Sequence, residues 1–172
     1  LVIFGQGVIL GRAEQEFKAF IEKTGAPAAW TILGLSALPT DHPQNVGMLG
    51  MHGMAYANMA VDAADLIVAI GMRFDDRATA KVSAFAPHAR VIHIDIDPAE
   101  IGKNVRVDVG LVGDAGQTLR SLIKEIRRRK DQNPAPVARQ QWLQRIDSWR
   151  NEHPLTYDKY SGAIKRLAEV VA

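Results

Sequence analysis

Four charges fall within five residues at Arg73-Phe74-Asp75-Asp76-Arg77, directly after the apolar run Leu66–Ile70 and a glycine, Gly71. Arginine forks suit phosphates and carboxylates, and adjacent acids can hold and orient a guanidinium. Gly71 allows the backbone to turn sharply, or to approach a ligand with no Cβ in the way. A solvated loop with self-paired charges has the same composition, and on this segment alone both readings stand. Further along, His93-Ile94-Asp95-Ile96-Asp97 ends another apolar run in acids. Asp95 is suited to accept from ribose hydroxyls, whereas Asp97 reads as the cap of a helix opened by Pro98. His52 sits between two glycines in Met48-Leu49-Gly50-Met51-His52-Gly53. That setting suits close approach to a flat, polarizable ligand such as a flavin, although methionines are more often core filler.

Glycines recur where a phosphate could lie against backbone. Gly5-x-Gly7-x-x-x-Gly11 follows the apolar start of the chain. It is the dinucleotide fingerprint with one extra residue before the third glycine. The acid expected at the end of the second strand is missing, and Trp30-Thr31 stands there, so as a signal for NAD the motif is weak. Gly113-Asp114 makes a second strand-to-helix turn. The five histidines (42, 52, 88, 93 and 153) have no metal-ligand spacing. No Ser-His-Asp set, P-loop or paired catalytic carboxylates can be made out. From the residues alone, the chain is a nucleotide-binding domain without an evident reactive group.

The elements that must position these residues alternate. Residues 1–4 read as a strand, Ile9 to Lys23 as a helix stopped at Gly25-Ala26-Pro27, and Ala28–Leu33 as a strand. Residues 34–52 read as a long loop, Met54 to Ala64 as a helix, and Leu66–Ile70 as a buried strand. After a loop and a short helix, Arg90–Asp95 is again a buried strand, with a short helix near Ala99–Gly102. Val105–Val109 alternates like an edge strand, and Asp114 caps a helix from Ala115 to Arg129. Strand and helix in alternation, without hairpin signals, predict an α/β fold with a doubly wound parallel sheet. That domain is expected to occupy 1–132. Residues 133–172, entered through Asn133-Pro134-Ala135-Pro136, read as a linker, helical over 137–160.

Composition narrows the class further. With 172 residues, 47% of them hydrophobic, the chain can bury one substantial core. It has no cysteine, hence no disulfide scaffold and no thiol nucleophile. No apolar run approaches the ~20 residues that span a bilayer, and the start lacks the basic region and cleavage site of a signal peptide. A net charge of +2 is too mild to imply a polyanion partner. The run from Arg120 to Lys130 is basic but carries no interleaved aromatics, and it reads as the exposed end of a helix rather than a nucleic-acid patch.

Taken together, MLGMHG (48–53), GMRFDDR (71–77) and HIDIDPAEIGKN (93–104) resemble the central domain of the acetohydroxyacid (acetolactate) synthase large subunit. LVIFGQGVI, TILGLSALPTDHP and GDAGQTL (113–119) stand in that family's order, so the resemblance covers about 1–130, and PLTYDKYSGAIK (154–165) is similar to its lead-in to the last domain. The family has three α/β domains. It decarboxylates pyruvate on thiamine diphosphate and condenses it with a second 2-ketoacid, toward branched-chain amino acids. The resemblance implies a Rossmann-like domain holding an FAD that takes no redox part.

Carried over position by position, FAD contacts fall on Gly5, Gln6 and Gly7, then Thr31, Ile32 and Leu33. Leu49, Gly50, Met51 and His52 line the isoalloxazine region. Gly71, Met72, Arg73, Asp75 and Arg77 follow, with Asp95 and Ile96, and finally Gly113, Asp114 and Ala115. Asp76 and Arg77 border the substrate channel. Ala28-Ala29-Trp30 departs from a commoner Val-Thr-Thr, Met72 stands where Ala or Val is usual, and RLAEVVA after Lys165 leaves the family pattern. The family's cofactor-activating glutamate and its diphosphate–Mg²⁺ motif belong to the first and third domains. No catalytic residue or metal ligand is therefore expected in these residues, and the piece alone is expected to be inactive. The resemblance also implies contact with other domains of the same chain, a homo-oligomer, a small regulatory subunit, and a cytoplasmic (bacterial) or plastid location. Glyoxylate carboligase, another thiamine-dependent carboligase, has similar central motifs, and a NAD(P)-binding Rossmann module is the remaining alternative.

Overall fold

The computed structural model describes residues 1–129 and 136–155. Its strands are β1 (Val2–Phe4), β2 (Ala28–Trp30), β3 (Asn45–Met48), β4 (Leu66–Ile70), β5 (Arg90–Asp95) and β6 (Val109–Val112). Its helices are α1 (Gln6–Leu10), α2 (Glu14–Thr24), α3 (Ala55–Asp62), α4 (Asp76–Thr79), α5 (Ala115–Arg128) and α6 (Pro136–Glu152). The strands form one sheet in the order β3-β2-β1-β4-β5-β6, parallel at every junction, as the alternating pattern predicts.

Each central strand sends alternate residues to opposite faces, so both faces need apolar side chains. Ile3, Ile67, Ala69 and Val91 face one side with Ala57, Ala60 and Val61 of α3 and Ile146 of α6. Val2, Phe4, Ile70 and Ile94 face the other with Phe17, Ile21, Leu119 and Ile123 of α2 and α5. There the rings of Phe4 and Phe17 lie 4.5 Å apart. Asp114 caps α5, its carboxylate accepting from the Gln117 N–H at 2.9 Å. Across the outer face, Arg120 pairs with Glu16 of α2.

Several elements differ from the sequence reading. The expected helix 9–23 is two helices, broken at Gly11-Arg12, where Arg12 takes a left-handed φ of 50°. The strand 28–33 stops at Trp30, because the chain bends back over β1 in a 3₁₀ turn (Ile32–Gly34) and Gly34 packs on the Phe4 carbonyl. The loop 34–52 contains β3, whose irregular register at Ala28/Ala29 and Gly47 at φ 100° disguise it. No helix forms at 99–102. Asp97 instead caps a turn through the Ala99 N–H (2.9 Å), and Gly102 at φ 73° ends it. The last strand is 109–112 rather than 105–109. The alternation of Val105 and Val107 reflects their packing on the core as a connection, tied to β5 by two bonds between Asp108 and Val91.

The helix expected over 137–160 is present as α6 as far as Glu152 and lies on α3; residues 156–172, with most of the 154–165 lead-in, lie outside the described residues. Arg150 reaches the Asn45 carbonyl at 3.1 Å and lies over the Tyr56 ring at 5.3 Å. Asn45 also accepts from the Gly47 N–H through its side chain, so the outer edge of β3 is occupied by side chains of the chain itself. Among the described residues, no strand pairs with the outer edge of β6.

Candidate nucleotide-binding cleft

The strand order reverses between β1 and β4, since the chain leaves β1 toward β2 and leaves β4 toward β5. In open parallel sheets the crevice at such a point, outside the carboxyl ends of the strands, is where ligands bind. Here the two strand ends are drawn together by glycines. The Gly5 N–H donates to the Ile70 carbonyl (3.1 Å), the Gly7 N–H to the Gly71 carbonyl (2.8 Å), and the Gly71 N–H to the Ile94 carbonyl (2.8 Å). A Cβ on Gly7 would stand 2.6 Å from the Gly71 Cα, and a Cβ on Gly71, at φ 55°, would stand 2.7 Å from the Gly7 Cα. Contact this close requires two bare backbones.

Above them opens a cleft of about 610 Å³. It brings together Gln6, Gly7, Thr31, Ile32, Leu33, Leu49, His52, Gly71, Met72, Arg73, Asp75, Arg77, Asp95 and Ile96, residues from five separate strand ends. Leu10, Met48 and Ala78 join them and were not singled out from the sequence. Met48 lay in the MLGMHG motif, whereas Leu10 and Ala78 carried no signal beyond ordinary helix positions. The apolar wall is unusually bare for single side chains, with Leu10 72%, Ile32 65% and Ile96 72% exposed.

The other predicted positions lie beside the cleft rather than in it. Gly5 is under the floor, where a Cβ would meet Met72 at 2.6 Å. Gly50 is behind the wall, its N–H and carbonyl both bonded to the Asn58 side chain (2.8 and 2.9 Å), and a Cβ there would strike the Arg77 carbonyl at 2.3 Å. Met51 donates its N–H to that carbonyl (2.8 Å), and its sulfur lies 3.6 Å from Arg77 Nη1. Asp76 is on the outer side of the rim, 4.0 Å from Arg77 Nε. Gly113 bonds the Asp95 carbonyl at 2.9 Å, and Asp114 and Ala115 follow it into α5.

The charges of the 71–77 segment are only loosely self-paired. Arg73 lies 3.9 Å from Asp75, and the two arginines are 64% and 67% exposed, so pairs this long and wet contribute little. Asp75 instead spends a carboxylate oxygen capping α4 at the Ala78 N–H (3.1 Å). Asp95 is nearly enclosed, accepting from the Asp97 N–H at 2.9 Å. His93 behind it is fully buried and its pKa is lowered, chiefly by burial, with the Met72 carbonyl, Asp95 and Glu100 partly opposing. Among the described residues no cluster of His, Asp and Glu suits a metal ion, and no helix is long and apolar enough to cross a membrane.

A parallel sheet in this order with such a cleft is the architecture of nucleotide-cofactor domains, and the family model that matches is that of the thiamine pyrophosphate enzyme central domain, over residues 1–122. The chain belongs to that family. Within it, the chain is similar to acetolactate synthases. It is 44% identical over 164 residues to the large subunit from Parasynechococcus marenigrum, covering 95% of this chain and 26% of that protein. It is 40% identical over 170 residues to the isozyme 3 large subunit of Escherichia coli, covering 99% and 29%. With the acetolactate synthase of Mycobacterium leprae the identity is 41% over 174 residues, covering 97% and 28%. The chain thus spans between a quarter and a third of the length of these relatives.

Proposed function

We propose that this chain is the FAD-holding central domain of an acetolactate synthase large subunit. The observation that carries the reading is the Gly7–Gly71 contact, which opens a cleft at the switch point with arginines on one wall and a shielded acid on another. The residues fit the cofactor. Ile32, Leu33, Met48 and Leu49 offer apolar surface to a flat ring system, Arg73 and Arg77 have guanidiniums available to phosphate, and Asp95 can accept from a ribose hydroxyl. β2 ends in Trp30-Thr31 without the acid that NAD-binding folds use, which disfavours a nicotinamide cofactor. In the net condensation of two 2-ketoacids FAD serves as a structural group and takes no redox part.

In this reading the thiamine diphosphate and Mg²⁺ bind outside these residues, and the decarboxylation of pyruvate proceeds there. Asp76, on the outer side of the rim, and Arg77, in the cleft beside it, border the substrate channel. Other domains of the same chain, a second copy and a small regulatory subunit are the partners, in a bacterial cytoplasm or a plastid. The 172-residue chain alone is then inactive.

Thermal unfolding with FAD, FMN, NAD and NADP tests the reading. A ligand at 100 times its Kd stabilises by about 2.7 kcal/mol, or roughly 5–10 °C for a domain of this size. FAD should raise Tm more than the others. A response to NAD with none to FAD would defeat the proposal, and acetolactate formed by the chain alone would defeat its inactivity.

A further inference from the structure

His93 occupies a position that the pleat reserves for an apolar residue. Along β5, Ile92 and Ile94 face one side of the sheet, while Val91 and His93 face the other. The imidazole is fully buried, and its Nδ1 has no partner. A buried polar atom without a bond is costly, and a valine here would avoid that cost, so shape alone does not account for the residue. Its Nε2 lies 3.0 Å from the Met72 carbonyl. A carbonyl only accepts, so Nε2 carries the proton and donates, leaving Nδ1 as the bare nitrogen. The ring is also braced edge-on by Phe74, with centroids 5.0 Å apart.

Two residues further along the same segment, the Phe74 carbonyl accepts from Asn104 Nδ2 at 2.7 Å. Alternate carbonyls of the 72–74 segment are thus held from the β5 side, one by the strand and one by the turn that follows it. The side chains alternate in step. Met72 and Phe74 are 3% exposed, Met72 only touching the cleft lining, whereas Arg73 and Asp75 line it with side chains 64% and 44% exposed.

We propose that His93 and Asn104 are positioning residues for the cofactor cleft: by gripping the Met72 and Phe74 carbonyls they set the register that delivers Arg73 and Asp75 to the ligand. The inference rests on the FAD reading for the identity of the ligand, but the grip itself does not depend on it. His93→Phe keeps the ring and removes the donor, His93→Gln restores a donor at the Nε2 position, and Asn104→Leu removes the second grip from an exposed site that tolerates change. In the chain without ligand, amide exchange at Ala78 and Thr79, both bonded to Asp75, should quicken about fivefold or more in His93→Phe and Asn104→Leu, the loss of one bond. His93→Gln should exchange like the parent.

With FAD as probe, both donor-less variants should bind several-fold more weakly by flavin fluorescence. His93→Phe should weaken FAD binding less in an Arg73→Ala background than in the parent, because part of the grip's effect passes through that arginine. Exchange at parental rates, or losses that add in the double variant, would overturn the proposal. If His93→Phe fails to fold, Asn104→Leu decides by the same two readouts. Failure of the parent chain to bind FAD would refute the proposed function instead, and the exchange experiment would still decide the grip.

Discussion

Replacing Gly71 with alanine combines two costs that other glycines in this chain separate. At Gly71 the left-handed φ of 55° costs a residue with a Cβ about 1–2 kcal/mol. Its Cβ would also meet Gly7 Cα, Gly7 C and Val8 N at 2.7, 2.8 and 2.9 Å, all backbone atoms that no rotamer change can move. Overpacking of that kind costs about 1–3 kcal/mol, so Gly71→Ala should lose roughly 2–5 kcal/mol in all, a large part of a typical domain's stability. Gly102 has the backbone term alone, with φ 73° and nothing within 4 Å of a Cβ, and Gly102→Ala should lose about 1–2 kcal/mol. Gly7 carries only the clash, and Gly7→Ala should lose about 1–3 kcal/mol. The double variant should not be additive, since both methyls compete for one gap. Urea unfolding followed by circular dichroism, with m-values compared, measures all four. A Gly71→Ala chain within about 0.5 kcal/mol of Gly102→Ala would refute the close contact on which the cleft depends.

Other perturbations probe separate links. Asp114→Ala should cost about 1 kcal/mol through the lost cap of α5 while Asp114→Asn costs little, measured by the same unfolding curves. Ile146→Ala, which empties a buried site between α6 and α3, should cost about 2–5 kcal/mol; loss of α6 helicity with the rest of the transition unmoved would show that the helix folds apart from the core. His93 is held neutral in the fold, so as pH falls below about 6.5 the unfolded chain binds a proton that the folded one resists. Stability should fall with acid through that window by at most about 1.4 kcal/mol per pH unit, and His93→Gln should remove that component. Glu125 is held at about 2, first by the hydrogen bond from Arg128 and then by that from Arg129. Its contribution is present above the ordinary carboxylate range and is lost as pH falls through about 2, so its NMR titration midpoint should rise in Arg128→Ala.

Leu66–Ile70 was legible to the residue because a strand buried on both faces reads as an unbroken apolar run, and Arg90–Asp95 because Val91, Ile92 and Ile94 keep most of that character around His93. β3 was not, since the alternation in Asn45-Val46-Gly47-Met48 lasts only four residues and follows a stretch rich in turn-forming residues, and its place is set by β2 and by its own Asn45 side chain. The misplaced sixth strand has a related cause. Val105 and Val107 alternate because they pack on the core, and periodicity alone cannot tell a packed connection from a strand. The cleft-lining motifs were legible through their glycines and charges. The residues that hold those motifs in shape were not: Asn58, His93 and Asn104 bond to backbone 8, 21 and 30 positions away, and no local pattern encodes such partners.

The two margins of the sheet are unlike in a way that bears on how the protein fails. At β3 the Asn45 carbonyl is taken by Arg150 and the Gly47 N–H by the Asn45 side chain, so an incoming strand finds its template already used. At β6 the margin is short, but Val109 and Val112 are 47% and 59% exposed, and no side chain of the described residues plays Arg150's part. Growth of the sheet by a foreign or partly unfolded strand therefore has a direction. A lysine placed at Val109 or Val112 should lower aggregation more than the same charge added beside β3, whose margin is already occupied.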